Sequence, residues 1–174
     1  AQADFGVAID LLKRLVDGPN AGAAREHLNL LMTYVDACGW LAFCLGAQGD
    51  FPAAFEYADR AVALADASGH PQPQAIAYGF HAIPLIIKGD FSLALPWCER
   101  AVHVCQSKAV LAWIPTGYSL RGWALAWLGH HGDALKYLEE GAAARERMNV
   151  TTNLALFYFR WADGLLLAGR VEEA

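Results

Sequence analysis

"QGDFPAAFEYADRA" (residues 48–61) returns as "KGDFSLALPWCERA" (residues 88–101), with Gly49, Asp50, Phe51, Ala54, Arg60 and Ala61 answered forty residues later by Gly89, Asp90, Phe91, Ala94, Arg100 and Ala101. The same step brings Gly129 and Gly169 into the glycine column, and Ala134 and Ala174 into the alanine column. Self-similarity at a fixed period marks a repeat architecture. The segment before each glycine, such as "YSLRGWALAWLG" (118–129), carries apolar residues at helical spacing, as does the segment after it. Each unit therefore reads as two helices and a tight turn. Glycine supplies the left-handed conformation that ends the first helix, and Asp50 or Asp90 is expected to accept backbone N–H bonds at the start of the second. Ala54, Ala58 and Ala61, and then Ala94, Cys98 and Ala101, are the small residues that let the two helices approach.

Working outward, "DFGVAIDLLKR" (4–14) matches "DFPAAFEYADR" (50–60) at a step of forty-six, the extra six residues falling in or beside "GPNAGAA" (18–24). The order becomes a lone second helix at 4–16, then repeats at about 25–68, 71–107 and 110–148, and a partial one at 151–174. The fold class that follows is all-α: one solenoid segment over 1–174, of antiparallel helix pairs in a right-handed superhelix with a forty-residue repeat. Both ends cut through a repeat, so a fragment of a longer polypeptide is expected. Phe5, Leu11, Leu12 and Leu15 at the front, and Leu165, Leu166 and Leu167 at the back, are then expected to be uncovered and to drive self-association.

Composition narrows the function classes. With 56% hydrophobic and 18% charged residues, 174 residues bury a large core as one domain. A net charge of −5 with scattered Lys and Arg offers no field for nucleic acid or anionic lipid, so neither is an expected partner. Apolar stretches such as 76–87 and 148–159 are too short to span a bilayer, and no signal peptide or membrane span is expected. Cys38, Cys44, Cys98 and Cys105 sit in apolar helical patterns, as reduced cysteines of a cytoplasmic protein do. Cys98 and Cys105 share a helix face with His103 between them. Without a C-x-x-C or H-x-x-x-H spacing they read as core filler, and no metal or cofactor is expected.

The small residues define a family resemblance. Ala42, Ala82, Gly122 and Ala162 in the first helix, with Ala54, Ala94 and Ala134 in the second, resemble the close-contact positions of tetratricopeptide repeats. The step of forty is longer than the usual 34 and overlaps HEAT repeats, but the Gly-Asp-aromatic turn favours the tetratricopeptide class. More narrowly, "RGWALAWLG" (121–129) and "LLLAGRVEEA" (165–174) resemble the C-terminal repeat regions of large bacterial signalling proteins. Those repeats follow an ATPase module of the AAA or STAND type, joined to a nucleotidyl cyclase or a LuxR-type DNA-binding domain. The resemblance implies a non-catalytic interaction or regulatory-sensor segment whose partner is a protein or peptide, including other domains of the same polypeptide. The alternative is a receptor for a peptide or small-molecule effector in the concave groove.

No catalytic constellation is visible, and an enzyme is not expected. There is no G-x-x-x-x-G-K-[ST] phosphate loop and no cyclase metal pair. Glu139 and Glu140, and Glu172 and Glu173, are adjacent and so face different ways on a helix. His130 and His131 replace the Asp-aromatic pair of the other turns and read as exposed turn residues. The concave face is the expected binding surface, lined by first helices in two columns: Phe43, Ile83, Trp123 and Asp163, then Ala47, Ile87, Trp127 and Leu167. The bland alternative is that further repeats cover these side chains. Arg121 and Arg160 interrupt the apolar set, and both are expected to reach Asp163, as a structural ion pair or as an anchor for a ligand carboxylate or phosphate. Pro84 and Pro96 fall inside predicted helices, where kinks are expected.

Overall fold

The computed structural model describes residues 4–18 and 27–174. Among these residues the chain forms eight α-helices and no strand: α1 (Phe5–Val16), α2 (Leu28–Ala47), α3 (Phe51–Ser68), α4 (Pro71–Lys88), α5 (Phe91–Ser107), α6 (Ile114–Trp127), α7 (His131–Met148) and α8 (Leu154–Leu167). Short 3-10 turns precede α6 (Leu111–Trp113) and follow α8 (Val171–Glu173). The insertion expected at 18–24 lies, beyond Gly18, outside the described residues, as do the first residues of the repeat placed at 25–68.

The glycine turns form as their chemistry dictates. Gly49, Gly89, Gly129 and Gly169 have φ of 86°, 88°, 83° and 77°. After each, the next amide reaches back to a carbonyl five residues earlier: Asp50 to Leu45, Asp90 to Leu85, His130 to Leu125 and Arg170 to Leu165, at 2.9–3.0 Å. This is the Schellman closure of a helix C-terminus, and it satisfies carbonyls that the helix leaves open. A second left-handed column at Gly69, Ala109 and Asn149 closes α3, α5 and α7; only its first member is glycine, so the sequence conceals it. At the helix starts Asp50 accepts from the Ala53 amide at 3.3 Å, as expected. Asp90 does not cap α5 with its side chain; it accepts instead from Lys88 Nζ at 2.7 Å, an ion pair its repeat-mate lacks because residue 48 is Gln.

Each helix packs on the next, and α2, α4, α6 and α8 also pack on one another in order. Ala42, Ala82, Ala54, Ala58, Ala61, Ala94, Cys98, Ala101 and Ala134 are fully buried, whereas Ala162 on α8 is only half-buried. At Gly122 a Cβ would come within 2.9 Å of the Ala134 carbonyl and 2.8 Å of Leu138 Cγ, so α6 and α7 touch backbone to side chain there. Leu138 also reaches Gly164 of α8, where a Cβ would stand 2.6 Å from its Cδ1. Both interior prolines sit within unbroken helices, and Pro84 is a packing residue, its ring lying against Gly46 of α2.

The first helix is tied down by polar contacts at its end. Tyr34 OH donates to the Val16 carbonyl (2.9 Å), which also accepts from Arg60 Nη2 (2.7 Å), while Arg60 Nη1 pairs with Asp17 at 2.6 Å. The expected uncovered leucines divide: Leu11, Leu15 and Leu166 are exposed and Phe5, Leu12 and Leu167 half-buried, but Leu165 is buried. One helix departs from the expectation that no span is long and apolar enough for a bilayer. Helix α2 is 20 residues long with a mean hydropathy of 1.5, long and apolar enough to cross a membrane, and 61% of that window is buried inside this fold.

Candidate functional site: an inner cavity with unpaired arginines

The inner faces of α2, α4, α6 and α8 border an open cavity of about 190 Å³. Asp36, Trp40 and Phe43 of α2, Phe80 and Ile83 of α4, and Trp113 packed on α4 form one side; Ser119 of α6, Arg145 at the end of α7, and Phe157 and Arg160 of α8 form the other. The α2–α4 side is an aromatic wall. Trp40 meets Phe43 and Phe80 edge-on at centroid distances of 5.9 and 5.2 Å, and Phe80 continues to Trp113 at 5.6 Å. Two glycines make this wall thin. A Cβ at Gly39 would lie 2.3 Å from Phe80 Cγ, and one at Gly79 would lie 2.8 Å from Trp113 Nε1.

The α6–α8 side is polar and short of partners. Arg160 is 6% exposed, its guanidinium carbon 5.5 Å from the centre of the Trp123 ring, and among the described residues no carboxylate lies within 4 Å of it. Burial pulls its pKa down to about 10, so the charge persists at neutral pH. The one titratable group acting on it, Cys98, is itself pushed up to about 12 by burial and stays a thiol, not a counter-ion. Arg145 is 7% exposed; it donates through Nη2 to the Thr152 carbonyl and lies 5.0 Å from the Phe157 ring, but its Nε has no partner. The Nε of Arg160 and the hydroxyl of Ser119, which is 1% exposed, are likewise buried without partners. Across the cavity, burial raises the pKa of Asp36, and neither arginine comes within 4 Å of it.

Of the residues expected on the concave face, Phe43, Ile83 and Arg160 line this cavity. Trp123, Trp127 and Asp163 form a separate cluster one turn further along, where both indole N–H groups donate to the same Asp163 oxygen at 2.6 and 2.8 Å. Phe91 stacks on Trp127 at 5.1 Å, and Phe159 meets Trp123 edge-on at 5.7 Å. Ile87 and Trp127 remain exposed, Trp127 by 47%. The forty-residue register does carry a signal for the arginines. Arg160 follows Trp40, Phe80 and Leu120, and Arg145 follows Ala65 and Cys105; all five predecessors are buried or nearly so apart from Trp40 at the cavity edge.

The expected Arg121–Asp163 and Arg160–Asp163 contacts do not form. Arg121 points the other way around α6, pairing with Glu99 of α5 at 3.2 Å and lying 4.3 Å from the Tyr137 ring of α7. Glu99 is about half exposed, so solvent weakens this pair. Arg121→Ala is therefore expected to cost about 1–2 kcal/mol in urea unfolding, the ion pair and the cation–π contact together. A loss of about 3–5 kcal/mol would instead require a desolvated partner.

A second buried base sits outside the cavity. His81 of α4 stacks on Trp97 at 3.9 Å and shares a hydrogen bond with Asp59 through Nε2 at 2.8 Å. Burial lowers its pKa below 6.5, outweighing the contact with the exposed Asp59 carboxylate. The unfolded chain thus takes up this proton first, so the contribution is fully present above about pH 6.5 and is lost as pH falls through the lower folded value. The urea midpoint should decline on acidification from pH 7, and His81→Phe, which keeps a ring on Trp97, should flatten that part of the decline. An unchanged slope in the variant would assign it to other groups.

All four cysteines are reduced and buried, and among the described residues no three His, Cys, Asp or Glu side chains gather as a metal site. No protein-family model matches the chain, and no curated protein matches it.

Proposed function

We propose that this chain is a tetratricopeptide-like solenoid segment, its helix pairs wound in a right-handed superhelix with a forty-residue repeat, that acts by holding a ligand on its inner face. It performs no chemistry on that ligand; it is a regulatory-sensor segment of a larger bacterial signalling protein of the cytoplasm. The supporting observations for the architecture are the four identical glycine closures at forty-residue steps and the packing of α2, α4, α6 and α8 on one another. The observation that carries the function is the inner cavity, lined from α2, α4, α6 and α8 with Arg145 of α7 and holding buried polar atoms without partners. A second mode, docking of a protein partner or another domain of the same polypeptide, is favoured by the exposed aromatic rim of Trp127 and Phe159.

Thermal-shift screening of short peptides and small metabolites tests the proposal. A true ligand's effect should fall at least ten-fold in apparent affinity with Ile83→Ala, inside the cavity, and survive Leu93→Ala on the exposed side of α5. Ligands indifferent to Ile83→Ala would move recognition off the inner face.

A further inference from the structure

We infer that the inner cavity is built for a small aromatic monocarboxylate, whose carboxylate is taken by Arg160 and Ser119 and whose ring lies among Trp40, Phe80 and Phe157. This rests on the inner-face function proposed above and specifies its ligand.

Arg160 supplies the first reason. A guanidinium buried to 6% exposure with no carboxylate within 4 Å among the described residues is a charge without a counter-ion there, an arrangement that proteins rarely keep unless something else completes it. Its neighbours on the same wall deepen the deficit. Ser119 Oγ and the Nε atoms of Arg160 and Arg145 are all buried without partners, and all can donate. A planar fork of N–H groups and a hydroxyl on one cavity can serve the two oxygens of a carboxylate, and charge-assisted bonds of that kind are the strong ones. The Nη2 bond from Arg145 to the Thr152 carbonyl fixes the second guanidinium in place before any ligand arrives.

Size and the opposite wall narrow the class. A cavity of about 150 Å³ holds benzene, so about 190 Å³ has room for one ring with a short substituent. The edge-on and tilted contacts of Trp40, Phe80 and Trp113 present ring faces and edges of the kind that another ring packs against. Among the described residues no cation lies within 4 Å of Asp36 on the α2 side, so a second anionic group on the ligand would meet it unfavourably. One negative group and one ring fit the arginine side and the aromatic wall.

Calorimetric titration of the whole chain with phenylacetate, phenylacetamide, phenyl phosphate and benzylamine tests this. Phenylacetate should bind at least ten-fold tighter than each of the other three. Arg160→Met should weaken it more than ten-fold, Ser119→Ala about three- to ten-fold, and Arg121→Ala, outside the cavity, not at all. Far-ultraviolet circular dichroism verifies folding; should Arg160→Met fail to fold, Arg160→Lys and Ser119→Ala carry the same comparison. Equal binding of acid and amide, full affinity in the Arg160 and Ser119 variants, or no binding of phenylacetate would each overturn the inference. Tighter binding of the amide or amine that Ile83→Ala weakens would sink the carboxylate alone and leave the inner-face function standing. If no compound in this set or in the wider screen depends on Ile83, both fail.

Discussion

Arg160→Met should make the unliganded protein more stable, by about 1–4 kcal/mol, or roughly 2–4 °C in Tm for each kcal/mol in a chain of this size. The expectation runs against the usual effect of substituting a buried residue. Folding strips water from the Arg160 guanidinium, and among the described residues its compensation is the Trp123 ring 5.5 Å away and the neutral Cys98 thiol. Methionine has similar reach, fills irregular space and brings no charge to desolvate. Its predecessors in the register, Trp40, Phe80 and Leu120, show that the slot accepts apolar side chains. Thermal unfolding of the two proteins, with circular dichroism as the probe, checks this. A loss of 3 kcal/mol or more would mean that Arg160 has a structural partner and that the cavity owes nothing to a ligand. A gain in stability with a loss of binding is the exchange expected of a site kept for function at the expense of the fold.

Leu138→Ala should cost about 2–5 kcal/mol, the largest loss expected from any single truncation discussed here. Leu138 is fully buried on α7 and wedged between two glycines, Gly122 of α6 and Gly164 of α8. Removing its isopropyl group empties both contacts at once, and α6 and α8 cannot both collapse toward α7 because Gly122 already sits against the Ala134 carbonyl. Equilibrium unfolding in urea measures the loss, and an effect under 1 kcal/mol would show that the three helices adjust freely. The glycines offer a contrast. Gly122→Ala meets backbone and should destabilise by about 1–3 kcal/mol through overpacking, whereas Gly164→Ala meets only a Leu138 methyl that can swing aside. In the second case the gain in helix propensity, up to about 1 kcal/mol, largely offsets the contact.

The glycine turns were legible in the sequence because their cause is local. A left-handed residue needs glycine, and Gly49, Gly89, Gly129 and Gly169 announce themselves at equal steps. The companion column hid because Ala109 and Asn149 adopt the same conformation without glycine. Helix identity and the buried alanines followed from spacing in the same way. What a repeat register does not carry is the direction in which each column looks. Arg121 and Trp123 are two residues apart, roughly 200° around a helix, so when Trp123 turns to Asp163, Arg121 must turn to Glu99 and Tyr137. Phe43, Ile83 and Arg160 were singled out in the sequence. Asp36, Trp40, Phe80, Ser119 and Arg145 were not, because the space they share exists only when helices more than a hundred residues apart in sequence face one another.

That last feature gives the molecule a mechanical property. Asp36 and Arg160 belong to helices near opposite ends of the chain, yet they front the same hollow. Between them the fold is held by contacts of each helix with its neighbours in order, so small changes in each crossing angle would add up from α2 to α8. On the proposed reading, a guest gripped by α2, α4 and α8 together would span those joints instead of following them, and so would hold the helix stack at one setting from α2 to α8.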